Sequence, residues 1–307
     1  MHVSVLLEEA IQGLNLKDNG IYVDCTLGYA GHSSEILKRV RRGCLFAFDQ
    51  DSDAIKYSTE KLSKIGDNFT IIYSNFVNIK EELLKRNITS VDGILFDLGV
   101  SSVQLDEKDR GFSYHQDARL DMRMDYNNPL SAYEVVNDYE EAKLVNIFFK
   151  YGEEKYARSI ARAIVKSREN KKIETTLELV EIIKSAIPMK AMRDKHPARK
   201  VFQAIRIEVN HELDILEQSI NDALDILNIG GRVAVITFHS LEDKIVKNIF
   251  KEKTQIDEKV KGLPVIPSEY MANYRLVNNK AIIPSEEELA INNRARSAKL
   301  RIIERIR

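Results

Sequence analysis

The chain of 307 residues contains no tryptophan and only two cysteines, and neither sign of charge is in excess. Its 46 basic and 47 acidic side chains give a net charge of −1, which excludes a general positive field for holding nucleic acid. Any contact with RNA must therefore come from local basic clusters. Cys25 and Cys44 are too few for a disulfide framework and are expected to be reduced thiols, as in a cytoplasmic protein.

Other absences exclude further classes of protein. No apolar run approaches the ~18 residues of a membrane span, and the first residues lack the basic start of a signal peptide. No membrane contact is therefore expected. Neither HExxH nor CxxC occurs and the six histidines are scattered, so no metal site is expected either. What remains, with 44% hydrophobic and 30% charged residues, is the composition of a soluble globular protein.

The first hundred residues alternate between two patterns. Short apolar runs, typical of buried strands, lie at 20–24, 44–49, 69–74 and 91–97. Stretches with helical spacing lie between them, near 31–41, 52–65 and 77–86. This alternation predicts an α/β fold with a parallel, Rossmann-like sheet.

The alternation then stops, and residues 131 to 190 have helical spacing. A long helix is predicted from Pro197 to the Gly230-Gly231 pair, after which Arg232–Phe238 resumes the sheet and Ser297–Ile302 adds an antiparallel strand. We therefore expect a cofactor-binding domain made of 1–106 and 208–307. An all-helical domain at 107–207 is expected to be inserted in it and to recognise the substrate.

Glycines and acids mark the ends of the predicted strands. The turn after the first strand reads Asp24-Cys25-Thr26-Leu27-Gly28-Tyr29-Ala30-Gly31 and leads directly into a helix. Asp49, Phe76 and Asp97 follow the next three strands. Ligands of open parallel sheets bind at the carboxyl ends of the strands, where an acid can accept bonds from ribose hydroxyls, so a nucleoside ligand is expected.

The glycine spacing indicates which nucleoside. It does not fit the G-x-G-x-x-G turn of dinucleotide sites, which disfavours an oxidoreductase. It is nearer the turn of S-adenosylmethionine-dependent methyltransferases, in which Asp24 can face the cationic end of the cofactor. At the third strand end, the Phe76 ring is placed either to stack on adenine or to pack in the core.

Several motifs, in the same order along the whole chain, resemble the RsmH (MraW) family of methyltransferases. They are His2-x-Ser4-Val5-Leu6-Leu7-x-Glu9, Asp24-x-Thr26-x-Gly28-x-x-Gly31-His32-Ser33, Asp97-Leu98-Gly99-Val100-Ser101-Ser102-x-Gln104-Leu105-Asp106, Arg110-Gly111-Phe112-Ser113, Leu120-Asp121-Met122-Arg123-Met124, His196-Pro197-Ala198, Phe238-His239-Ser240-Leu241-Glu242-Asp243 and Arg294-x-Arg296-Ser297-Ala298. The resemblance implies methylation of the exocyclic N4 of a cytosine in small-subunit (16S) ribosomal RNA, in the assembled subunit near the decoding site.

The resemblance also implies which residues form the cofactor site. S-adenosylmethionine is expected at Ala30, Gly31, His32, Asp49, Phe76, Asp97 and Gln104. Ala30 departs from the family pattern, because glycine is usual at this position. Its methyl group is expected to fit if the backbone there keeps φ below zero.

The expected chemistry is methyl transfer to a weakly nucleophilic amine. Asp97 and the Leu98 carbonyl are candidates to accept the protons of N4, and His239 is a second catalytic candidate. RNA contacts are expected from Arg199 and Arg206 in one basic cluster, and from Arg294 and Arg296 in another.

The sequence also allows other interpretations. One alternative to the enzyme is an RNA-binding assembly factor that keeps the fold; another is a methyltransferase that acts on a different RNA. The loop with Arg110, Phe112, Arg123 and Met124 is a candidate lid over the cofactor. The oligomeric state is undetermined, a homodimer being one option.

Overall fold

The structure is a computed structural model, and it describes residues 4–100, 108–192, 196–256, 260, 267 and 270–307. Contacts divide the chain into two units. Met1–Gly99 and Leu213–Arg307 form the sheet unit, and Val100–Glu212 forms the helical unit. The sequence patterns had suggested residues 107 and 207 as the limits of the insertion.

The sheet unit is built on a seven-stranded sheet with the order β3-β2-β1-β4-β5-β7-β6. Its strands are β1 (Ile21–Asp24), β2 (Cys44–Asp49), β3 (Phe69–Tyr73), β4 (Val91–Asp97), β5 (Leu227–Thr237), β6 (Tyr274–Leu276) and β7 (Lys299–Arg305). The first five run parallel, and β7 pairs antiparallel with both β5 and β6. This confirms the predicted fold class.

Both faces of the sheet are covered. Val23, Phe46 and Ile94 point to one apolar core, whereas their chain neighbours Tyr22 and Leu45 point to the other. Because successive side chains of a strand point to opposite faces, a strand buried on both sides has the continuous apolar sequence seen here.

Helices supply the two outer layers of this unit. They are α1 (Leu7–Leu14), α2 (Gly31–Arg39), α3 (Ser52–Leu62), α4 (Ile79–Leu84), and, after the insertion, α10 (Glu212–Asp225), α11 (Ser240–Lys253) and α12 (Glu286–Ile291). The first residue of α10, Glu212, still belongs to the helical unit. The three predicted helices of the first hundred residues correspond to α2, α3 and α4. Among the described residues, no helix has the length and apolar character needed to cross a membrane.

The helical unit contains α5 (Ala132–Asp138), α6 (Glu141–Lys150), α7 (Ala157–Asn170), α8 (Thr176–Ser185) and α9 (Arg199–Asn210). Capping boxes at Ser131 and Thr175 fix the starts of α5 and α8. Buried side chains such as Phe148, Ile164 and Ile205 form its core.

The long helix predicted from Pro197 is wrong in two respects. His211 adopts a left-handed conformation (φ 52°) and divides it into α9 and α10, and spacings of three and four continue on both sides of the break. The second helix ends at Asp225, and Gly230-Gly231 lies within β5. There the register with β4 shifts between Val91 and Gly93, so this segment is a strand irregularity.

Candidate active site

The strand order reverses beside β1, whose neighbours are β2 and β4, and the candidate site is the carboxyl ends of these strands. Asp24 ends β1, but its carboxylate faces its own turn. Its Oδ1 accepts from the Thr26 N–H at 3.0 Å, and its Oδ2 accepts from the Ser33 hydroxyl at 2.6 Å. With 1% of the residue exposed, Asp24 fixes the turn and supplies buried negative charge to the site.

The turn after β1 presents backbone at Gly28 and packs tightly at Gly31. Gly28 has φ +47°, and a Cβ added there would meet only the Thr26 carbonyl oxygen, at 4.0 Å. At Gly31 an added Cβ would lie 1.7 Å from the Ser4 hydroxyl oxygen. The first glycine therefore leaves room for a ligand, whereas the second lets the N-terminal segment approach α2.

Ala30 contradicts the expectation of a negative φ. It adopts φ 54° and ψ 41° at the N-cap of α2, and its side chain is fully buried. An L-residue in this left-handed region costs about 1–2 kcal/mol, which gives a physical reason for glycine at this position. Its backbone N–H donates to the Leu27 carbonyl at 2.8 Å, so Ala30 shapes the turn.

Asp49 ends β2 as predicted and points toward the turn. Its Oδ2 accepts from the Gly28 N–H at 2.8 Å, and its Oδ1 accepts from the Asp51 N–H at 2.9 Å. Burial raises the pKa of Asp49 to about 6, with a further increase from the charge of Asp51, although these backbone hydrogen bonds act against the increase. A carboxylate has about four acceptor positions, so capacity for ribose hydroxyls remains.

Phe76 begins a short 3-10 helix directly after β3. Its ring meets that of Phe96 edge-on, with the centroids 5.6 Å apart, and it is partly buried against the core. Asn75 holds this corner, because its amide donates to Gln50 Oε1 at 3.0 Å and its Oδ1 accepts from the Val77 N–H. One side of the Phe76 ring is therefore packed in the protein.

Asp97 ends β4 next to the turn of β1. Its N–H donates to Thr26 Oγ1 at 2.7 Å. A quarter of its side chain is exposed, but Oδ1 is buried and has no hydrogen-bond partner among the described residues. Burial raises the pKa of Asp97 well above its usual range, and the negative charges of Asp24 and Glu242 raise it further. The unpaired buried oxygen and the surrounding acids suit a cationic ligand or a hydrogen-bond donor.

His32 lies in the first turn of α2 and is buried. Its Nε2 lies 3.1 Å from the Val5 carbonyl oxygen, and its Nδ1 lies 3.6 Å from Asp97 Oδ2. The structure therefore brings together Asp97 and His32, two of the predicted cofactor residues.

His239 follows β5 and caps α11. Its Nδ1 accepts from the Glu242 N–H at 3.4 Å, its Nε2 lies 3.0 Å from Glu242 Oε1, and only 8% of the side chain is exposed. The side chain of Glu242 in turn accepts from the N–H groups of Phe238 and His239. This reciprocal capping box gives the histidine a structural role at the edge of the sheet.

The predicted arginines of the helical unit differ in their surroundings. Arg206 makes two parallel bonds of 2.8 Å to the carboxylate of Glu212, and 17% of its side chain is exposed. Arg199, at the start of α9, is exposed. Other polar side chains of α9 are also used within the protein, since Gln203 donates to the Tyr151 carbonyl and Asn210 to the Met122 carbonyl.

Arg294 and Arg296 lie on a 3-10 helix, Asn293–Ser297, in the sheet unit. Both are exposed, while Ala295 between them is fully buried. Further along the tail, Lys299 and Arg301 bind Asp243. Lys299 and Arg301 are therefore used within the protein.

The remaining predictions concern the candidate lid and Gln104. Arg110 is buried, donates to the carbonyls of Arg123 and Met124, and lies over the ring of Tyr126, 4.3 Å from its centroid. These contacts stay within the helical unit, and the proposed lid function stays a prediction. Gln104 lies outside the described residues.

Two contributors were missed by the sequence reasoning. Thr26 links the ends of β1 and β4 through the Asp97 N–H, and Glu242 supplies both a helix cap and a buried charge. A signal for Glu242 existed, because an acid three residues after a capping residue is the capping-box pattern. Nothing in the spacing of Thr26 pointed to a strand far along the chain.

This strand order, with an antiparallel β7 beside β5 and an acid-lined turn after β1, defines a Rossmann-like methyltransferase. Comparison with known proteins supports that class. The model of the MraW methylase family matches residues 1–306, and the chain belongs to this family. It is an S-adenosylmethionine-dependent methyltransferase, which excludes the oxidoreductase alternative.

The chain is also similar to individual proteins. The ribosomal RNA small subunit methyltransferase H of Exiguobacterium sibiricum is 57% identical over 307 residues, covering 100% of this chain and 98% of the relative. An rRNA methylase from Streptococcus thermophilus of known structure is 11% identical, with a TM-score of 0.47, over 100% of this chain and 99% of the other.

Proposed function

We propose that the chain transfers a methyl group from S-adenosylmethionine to the exocyclic N4 of a cytosine in small-subunit ribosomal RNA, in the assembled subunit near the decoding site. The observation that carries this proposal is 57% identity over the whole chain to a relative named as a small-subunit rRNA methyltransferase. Such a substrate would place the protein in the cytoplasm.

The residues at the edge of the sheet fit the cofactor. Gly28 presents open backbone, Asp49 offers acceptors for ribose, and the acids around Asp97 suit a molecule with cationic centres. When bound, S-adenosylmethionine supplies an electrophilic methyl group on a sulfonium sulfur. The protein's contribution is alignment and a dry, charged environment.

Asp97 is the proposed acceptor of the proton that N4 loses. The lone pair of N4 is delocalised into the cytosine ring, so acceptors that bind its two protons favour localisation of that pair on nitrogen. Asp97 and the Leu98 carbonyl provide these acceptors, and the buried Oδ1 of Asp97 has no other partner among the described residues. His239 is the weaker candidate, because its ring is used to cap α11.

The target cytosine has to leave its stack to reach such a site. We propose Arg199, Arg294 and Arg296 as phosphate contacts, because all three are exposed. Arg206 has a smaller proposed part, since Glu212 already neutralises its guanidinium. The helical unit is the proposed substrate-recognition unit.

Methyl transfer from tritiated cofactor to small ribosomal subunits that lack the modification tests this function. Nucleoside analysis should find the label in N4-methylcytidine at a single site. Label in another nucleoside would indicate a different RNA target. Binding of subunits without any transfer would indicate an assembly factor. Asp97→Asn serves as the inactive control.

A further inference from the structure

The hydrogen bonds of His32 define which of its ring nitrogens carries a proton. Nε2 lies 3.1 Å from the Val5 carbonyl oxygen. A carbonyl oxygen only accepts, so Nε2 must be the donor and is protonated. Nδ1 therefore has a lone pair whenever the ring is neutral, and this atom faces Asp97 Oδ2 at 3.6 Å.

Two further charges that act on Asp97 are negative. Asp24 lies at the end of β1, and Glu242 lies in the first turn of α11. Each already accepts hydrogen bonds from its own turn, so neither is available to donate to Asp97. If Asp97 were ionised beside a neutral His32, its negative charge would add to those of Asp24 and Glu242, which act on it, while the imidazole of His239 lies against Glu242.

One proton removes this conflict. It sits either on Asp97 or on Nδ1 of His32, and in both cases the pair carries the same total charge. We propose that His32 is a positioning residue for Asp97, that the two side chains hold one proton between them in the free enzyme, and that this proton leaves when a cationic ligand binds beside them. This rests on the proposed function, because it takes this edge as the S-adenosylmethionine site.

The charge balance links the pair to the reaction. Binding exchanges one proton for the positive charge of the cofactor. Methylation then removes the sulfonium charge, while the amine of cytosine must lose one proton to become the methylated amine. The pair is ready to take back that proton at the moment the counter-charge disappears. Asp97 thus becomes a proton acceptor only once a cation is bound.

Calorimetric titration of S-adenosylmethionine into the full-length protein, in buffers of different ionisation enthalpy at pH 7, measures the protons released at a pH where Asp49, with a pKa of about 6, is mostly ionised already. We expect S-adenosylmethionine to release more protons than S-adenosylhomocysteine, which has no sulfonium charge. His32→Gln keeps a donor for the Val5 carbonyl but has no titrating nitrogen, so it should lower the release, and Asp97→Asn should abolish it.

His115→Gln is the matched control, because it makes the same chemical change at an exposed histidine of the helical unit and should leave proton release unchanged. Binding of S-adenosylmethionine to the wild type without proton release would overturn the inference and leave the proposed function intact. So would equal release by all three variants. If the cofactor does not bind at all, the function itself is wrong.

The pH dependence of single-turnover methylation separates positioning from a merely structural role. The His32→Gln variant removes the positive charge that a protonated His32 places 3.6 Å from Asp97. The acidic limb of the profile should therefore move to higher pH in His32→Gln, with about a tenfold lower rate at pH 7. An unchanged midpoint with a uniformly lower rate would indicate a packing role only and would contradict the proposal.

Discussion

The carboxyl edge of the sheet and the polar face of α9 both carry dense polar motifs, but they use them differently. On α9, the side chains of Gln203, Arg206 and Asn210 bind partners within the helical unit. At the sheet edge, Asp97 keeps a buried oxygen that no described residue satisfies. A buried polar atom without a partner lowers the stability of the fold, so its presence indicates a site where a ligand supplies the missing hydrogen bond.

The first test removes the carboxylate of Asp97, whose Oδ1 has no partner among the described residues. Asp97→Asn should lower the single-turnover methylation rate at saturating cofactor by about 100-fold or more, because it removes the proposed proton acceptor. The variant should remain folded, since it removes a buried acid that lies near two other acids.

Asp92→Asn is the matched control on the same strand. Asp92 lies at the amino end of β4, where its Oδ2 accepts from the Ile21 N–H at 3.0 Å. This variant should lose some stability and keep its methylation rate. Equal methylation rates for the two variants would contradict a catalytic role for Asp97 at the carboxyl edge.

The second test separates the two kinds of arginine by stability. Arg206→Ala should lower the free energy of unfolding by about 2 kcal/mol, because it leaves the largely buried carboxylate of Glu212 without its partner. Arg296→Ala, at an exposed position, should change it by less than about 0.5 kcal/mol. Thermal or urea denaturation gives both values.

RNA binding should show the reverse order. Arg296→Ala should weaken binding of ribosomal RNA and reduce the slope of log affinity against log salt by about 1, as expected for one lost phosphate contact. Arg206→Ala should leave that slope nearly unchanged. If Arg206→Ala reduced the slope and kept full stability, the arginine would be a phosphate contact, as the sequence alone had suggested.

The third test measures how the protonation of Asp49 changes stability and cofactor affinity with pH. Its raised pKa of about 6 means that the native state binds its proton more tightly than the unfolded chain does. This carboxyl therefore favours the folded state at low pH, and its contribution is lost as pH rises from about 4 through about 6. A ribose contact uses the ionised form, so below pH 6 the wild type should lose affinity for the cofactor more steeply than Asp49→Asn does, in addition to the pH dependence that the His32–Asp97 pair gives both proteins. Asp49→Asn should bind more weakly than the wild type at pH 7, and an equal pH dependence of the two proteins would exclude this role.

The same contrast explains what the sequence could and could not predict. Strand ends at Asp24, Asp49 and Asp97 follow from apolar runs, because parallel strands end at one edge. Whether a polar side chain at that edge is free to bind a ligand depends on partners that lie far away in the sequence. The pairing of Arg206 with Glu212 lies across the break at His211, where the helical spacing continues without interruption. The link between Thr26 and Asp97 joins residues 71 apart in the chain, and no local pattern encodes it.

The smallest expected effect concerns Ala30, which adopts a left-handed conformation beside the site. Ala30→Gly should raise the free energy of unfolding by less than about 1 kcal/mol, because relief of the left-handed strain is partly offset by the greater entropy of an unfolded glycine. The converse variant, Gly28→Ala, introduces the same strain at φ +47° where the added Cβ meets no close neighbour, so it should destabilise by about 1 kcal/mol. Denaturation of both variants measures these changes, and the titration with cofactor shows whether a relaxed turn binds more tightly. A loss of stability in Ala30→Gly would mean that packing of the buried methyl group outweighs its backbone strain.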